Sequence, residues 1–185
     1  MSISKTAAAL AAALALGFAG AALAADKVPA GPGLGKEAPA DLVAKWSISI
    51  LPDGTGLPAG KGDSRAGAMI YVRTCLGCHG TNGGGGTGGR LTGGIGSLTS
   101  DNPIKTANSY WPYATTVFDY IRRAMPITAP QSLTDDEVYS LVAYILSVDG
   151  IVKITDPLDK DTLPKIQMPN RNGFISFWPS APKGF

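Results

Sequence analysis

The sequence predicts an all-α domain with irregular extensions before and after it. Three observations carry that prediction. Apolar residues recur at helical spacing in three stretches, near 64–75, 115–125 and 134–150. Prolines and long glycine runs, which regular elements tolerate poorly, fall between and beyond those stretches. Both cysteines and the only histidine of the 185 residues sit together in Thr74-Cys75-Leu76-Gly77-Cys78-His79-Gly80.

The spacing C-x-x-C-H is the attachment signature of a c-type haem. Two thiols add across the haem vinyl groups, and the adjacent imidazole becomes the proximal iron ligand. Cys75 and Cys78 are therefore the candidate attachment residues and His79 the candidate metal ligand, with one covalent haem c as cofactor. A thioredoxin-like dithiol would want a βαβ context, whereas Gly80 opens a glycine-rich loop. A structural zinc site needs four ligands, and the fourth would have to be a carboxylate. Two Cys and one His scattered at random would form this pattern only on the order of once in ten thousand chains.

At the N-terminus, Met1 to Lys5 precede a run of Ala, Leu and Gly that closes on Ala22-Leu23-Ala24. A charged start, an apolar middle and an A-x-A end read as a secretory signal peptide over 1–24, with an uncleaved anchor as the alternative. Export agrees with the haem motif, because c-type attachment is carried out on the outer side of the bacterial inner membrane. The predicted location is the periplasm, with no membrane span once the signal is cleaved. About 160 residues would remain, enough for one domain with extensions. The formal charge of +2 falls by one with Lys5, and two haem propionates lower it further, which excludes a nucleic-acid partner.

Residues 25–63 form the predicted leader. Asp26 to Asp41 has few apolar anchors. Trp46-Ser47-Ile48-Ser49-Ile50 alternates, predicting a short extended segment with Trp46, Ile48 and Ile50 on one face. Pro52 to Pro58 is a chain of turns. The domain itself is predicted over 64–150. Its first helix starts at Asp63 or Ser64 as cap and places Gly67, Ile70, Tyr71, Thr74 and Cys75 on one face. A glycine inside a helix points to a second helix crossing closely there.

Gly80 to Gly96 lacks the Gly-Lys-Ser/Thr ending and preceding strand of a phosphate loop, so it is predicted to pass irregularly by the haem edge. Arg90 ends its densest part and is the candidate propionate partner, a solvated arginine being the alternative. Tyr110, Trp111 and Tyr113 are core aromatics or, through an N–H or O–H, further propionate partners.

A second helix from Thr115 or Thr116 to Ala124 delivers Met125 at its end, and Pro126 turns Met125 out of helical geometry. A third opens on Thr134-Asp135-Asp136-Glu137, a capping box, and carries Val138, Leu141, Val142, Ile145 and Leu146 as one stripe up to Gly150. It is the predicted partner for the close approach at Gly67. Residues 151–185 are predicted as an extended surface tail anchored by Phe174, Phe177 and Trp178.

A His/Met pair fills both axial positions of a haem iron and raises its reduction potential. Met69 lies six residues before Cys75 and reaches the far face poorly. Met125 is the candidate sixth ligand, with Met168 of the tail as second. Arg122 and Arg123 beside Met125 are either an acidic-partner docking pair or a solvated helix face.

The order of a Gly-x-x-x-Tyr helix, C-x-x-C-H, glycine-rich loop, Met-Pro and amphipathic last helix resembles a class I cytochrome c. The phrases Pro52-Asp53-Gly54-Thr55-Gly56-Leu57-Pro58, Ser109 to Thr116, Phe118 to Pro126 and Met168 to Phe174 are similar to the cytochrome subunit of periplasmic sulfite or sulfane dehydrogenases of the SoxD type. The resemblance implies a class I fold, no catalysis by the chain alone, a molybdenum-containing dehydrogenase subunit as electron donor and a further cytochrome as acceptor. Two other functions stay open: a free carrier serving another dehydrogenase, and a haem enzyme or sensor with an open sixth position.

Overall fold

Helix formation begins where the sequence supplies caps. In the computed structural model, which describes residues 33–175, the chain divides between Ala40 and Asp41. The described residues before Ala40 carry no regular element. From there run α1 (Ala40–Trp46), α2 (Ser64–Thr74), α3 (Leu76–His79), α4 (Ala107–Tyr110), α5 (Ala114–Ala124) and α6 (Asp135–Val148). Short 3-10 turns cover Thr81–Gly83, Ser97–Thr99 and Leu163–Lys165. The fold is all-α, as predicted. The predicted signal segment and the aromatics Phe177 and Trp178 lie outside the described residues.

Asp63 caps α2, its carboxylate accepting from the N–H groups of Arg65 and Ala66 at 2.8 and 2.9 Å. At the start of α6, the Thr134 hydroxyl accepts from Glu137 N–H while the Glu137 carboxylate accepts from Thr134 N–H, the reciprocal box that the sequence spells. Gly150 follows α6 with φ +71°, a left-handed stop that glycine adopts freely.

These two helices cross where Gly67 lacks a side chain. A Cβ there would overlap the Ser140 carbonyl oxygen and sit 2.8 Å from Tyr144 Cβ. The ends of the pair are tied by Ser64 Oγ to Ser147 Oγ at 2.6 Å and by Arg73 to Glu137 at 2.8 Å, so α2 and α6 run in opposite senses. The core forms on the far side of α6: Val138, Leu141, Val142 and Leu146 meet Val117, Phe118 and Ile121 of α5, with Phe118 against Tyr139 at 4.5 Å between rings.

Three predicted pieces differ from what forms. Trp46 ends α1 and is 74% exposed, so Trp46, Ile48 and Ile50 do not share a buried extended face; only Ile50 is buried. Of the five-residue alternating phrase only Trp46 is helical and 47–50 carry no regular element, because so short an alternation does not by itself fix a strand. Ala107–Tyr110, where the sequence predicts no helix, is a single helical turn with its own capping box between Thr106 and Ser109. Residues 151–175 are tied into the core and not merely laid on the surface. Leu158 pairs with Gly62 and Asp159 with Lys61 in a two-residue antiparallel ladder, and Leu158, Leu163 and Met168 are core residues. No described helix is long and apolar enough to cross a membrane.

Candidate haem site

The haem motif follows directly from α2. Cys75 N–H still donates to Tyr71 O at 2.8 Å, and α3 then carries the two remaining motif residues, Cys78 and His79, in one further turn. Tyr71 reaches past the motif to donate its hydroxyl to Gly80 O at 2.8 Å, which fixes where the motif ends. Burial pushes the Tyr71 phenol up to about 12, so this donor keeps its proton through the physiological range. Burial also pushes the Cys75 thiol up, while Cys78 is exposed.

The glycine-rich loop wraps the motif closely. Gly85 N–H donates to His79 O at 2.8 Å and Gly88 N–H to Cys78 O at 2.7 Å. A Cβ on Gly88 would stand 3.1 Å from the His79 ring, and one on Gly86 would stand 2.6 Å from Cys78 O. A side chain at Gly88 would crowd the imidazole and one at Gly86 the backbone of Cys78, which gives these two glycines their physical reason. His79 Nδ1 lies 2.7 Å from Gly89 O. A carbonyl oxygen only accepts, so Nδ1 carries the proton and Nε2 keeps its lone pair for a metal.

Cys75, Cys78 and His79 border a cavity of about 520 Å³. Its wall also takes Met125, Arg90, Trp111 and a largely apolar set from α5 and α6 that includes Val117, Ile121, Leu141 and Ile145. Both thiols, the imidazole and a thioether border one largely apolar space, a donor set that would suit a c-type haem. Met125 holds an extended backbone, φ −120° and ψ 145°, after its N–H closes the last turn of α5 on Ile121 O. Of the other sequence candidates, Met69 is 72% exposed on α2 and Met168 is buried in the core, and neither borders the cavity. Among the described residues no group of three or more His, Cys, Asp or Glu is placed to hold a metal ion, so the zinc reading has no fourth-ligand cluster.

Arg90 borders the cavity with its Nε donating to Gly84 O at 3.0 Å. Of the three aromatics, only Trp111 reaches the cavity. Tyr110 packs edge-on to Phe174 at 5.2 Å, and Tyr113 lies 4.2 Å beneath the Arg171 guanidinium. Arg122 and Arg123 pair internally, with Asp135 at 2.9 Å and Asp119 at 2.6 Å, so neither is a free docking cation nor a simply solvated one. Sequence inspection missed Lys105, a further cation on the cavity wall. No local pattern marks it; only the path of the loop brings it there.

Residues 62–145 match the family model described as cytochrome c oxidase, cbb3-type, subunit III. Among solved structures, the chain is similar to one from the crystal structure of the sulfane dehydrogenase SoxCD from Paracoccus pantotrophus. That match has a TM-score of 0.73 and 39% identity, and covers 78% of this chain and 71% of that one. No curated protein matches the chain.

Proposed function

This chain belongs to the SoxD-like c-type cytochromes, with the class I fold, and from that premise we propose that it is the electron-accepting subunit of a periplasmic, molybdenum-dependent dehydrogenase for sulfite or a related sulfur compound. Electron transfer is the work of the family. The observation that supports the finer reading most strongly is the 39% identity to a chain of a sulfane dehydrogenase, held over 78% of this one.

In this reading the protein exports through residues 1–24 and carries one haem c, bound through Cys75 and Cys78. His79 and Met125 would hold the haem iron, and Arg90 would hold a propionate. The haem supplies a one-electron couple. The chain's residues set the terms on which it works. Gly89 O orients the imidazole and fixes its tautomer. Two protein ligands leave no position for substrate, so the chain alone makes and breaks no bonds. Val117, Ile121, Leu141 and Ile145 exclude water, which disfavours the more charged oxidation state. Electrons arrive from a molybdenum-containing subunit and leave to a further cytochrome.

Purification from periplasm under mild conditions, with haem and molybdenum quantified in the same fractions, tests the partnership. Co-elution at a fixed ratio supports the subunit role. Haem eluting alone as a monomer contradicts it and favours the freely diffusing carrier.

A further inference from the structure

The cavity wall carries two cations, Arg90 and Lys105, and none of its lining residues is a carboxylate. Lys105 makes no ion pair among the described residues; its ammonium stands 5.1 Å from the Tyr110 ring centroid. Arg90 spends only Nε, on Gly84 O, and its terminal nitrogens make no hydrogen bond among the described residues. Both side chains are exposed at the edge of the cavity, so water solvates them there and each keeps donors free for an anion seated in the cavity.

Their placement follows from a closed loop. Arg90 and Lys105 flank residues 91–104, and the base of that loop is drawn shut. Thr106 Oγ1 donates to Gly93 O at 2.8 Å, and Asn108 N–H to Leu91 O at 3.3 Å. Asn108, fully buried, also donates through Nδ2 to Ile145 O at 2.8 Å and to Asp149 Oδ2 at 2.7 Å, and the same carboxylate oxygen accepts from Gly93 N–H at 2.6 Å. One clasp therefore joins Leu91, the 105–107 segment and Ile145, all of which border the cavity. The two cations are brought to the same rim by it.

We propose that Lys105 is a second anionic anchor of the haem site: with Arg90 it takes the two carboxylates of the bound haem, and the Asn108–Asp149 clasp positions the pair. This rests on the haem reading above. A cation beside the haem disfavours the more positive ferric state and holds a carboxylate ionised.

The test is the midpoint potential of the purified, haem-loaded cytochrome, without partner, followed from about pH 5 to about pH 9. It compares wild type with Lys105→Met, Lys105→Arg and Arg90→Gln. Lys105→Met is expected to lower the potential and to bring into this range a fall in potential with rising pH, as the less neutralised carboxylate titrates. Lys105→Arg is expected to restore the wild-type curve. A Lys105→Met protein with full haem content and an unchanged curve overturns the assignment. So does an effect of Lys105→Met seen only in electron exchange with a partner, which would make Lys105 a docking residue. Absence of covalent haem from the wild type overturns the underlying reading, and is distinguished by the haem absorption of the unmutated protein.

Discussion

His79 has one hydrogen-bonding arrangement open to it, because its Nδ1 neighbour is the carbonyl of Gly89. That contact converts a sequence letter into a directed ligand. Met125 is placed by position: it is the described methionine that borders the same cavity as the cysteines and histidine. Met125→Ala is expected to open the sixth coordination position, so that carbon monoxide and imidazole bind readily and shift the haem absorption spectrum; Met168→Ala, a core change, should leave ligand binding as it was. Equal ligand binding in wild type and Met125→Ala would contradict the assignment. Glu137 caps α6 through its charge. The Thr134 backbone N–H, then the Thr134 hydroxyl and Arg73, hold its carboxyl below the usual range. A carboxyl depressed in the folded state stabilises the fold above the unfolded glutamate value, about pH 4, and that stabilisation is lost as pH falls through the folded value. Glu137→Gln should therefore flatten the acid limb of stability against pH, measured by urea unfolding. If the limb keeps its wild-type slope, the cap contributes nothing through its charge.

At the scale of elements, what was legible in the sequence was what neighbours in sequence decide. The Asp63 cap, the Thr134–Glu137 box and the Gly150 stop each involve residues within a turn of one another, and each forms as read. The crossing at Gly67 was legible too, because a glycine inside an apolar stripe has few other uses. Gly67→Ala should cost about 1–3 kcal/mol, by driving a Cβ into the Ser140 carbonyl of α6, and would appear as a lower urea midpoint. A stability equal to wild type would mean the helices part without penalty. What was not legible depends on chain reversal. Arg122 meets Asp135 only because the chain turns back between α5 and α6, whereas Arg123 meets Asp119 one turn back on its own helix, an i,i+4 spacing that the sequence does display. Lys105 reaches the cavity only because loop 91–104 closes on itself.

The whole molecule depends on a segment that its prolines disguised. Leu158, Leu163 and Met168 are as buried as the helix core, yet their stretch has no period, since it supplies single anchors to a surface made by α5 and α6. Leu163→Ala should destabilise the domain by about 2–5 kcal/mol, a core-sized loss in thermal or urea unfolding; a loss below about 0.5 kcal/mol would place the residue outside the cooperative core. The cavity, the motif and the likeness to a chain of a sulfane dehydrogenase together support the proposal that electrons from sulfur oxidation enter a haem held by this chain. The most direct measurement is to add sulfite or thiosulfate, without oxygen, to the natively purified protein and follow the haem absorption alongside its molybdenum content. Molybdenum in the preparation and conversion of the haem to its ferrous spectrum on adding substrate are expected. A molybdenum-containing preparation whose haem stays ferric with both substrates would contradict that proposal.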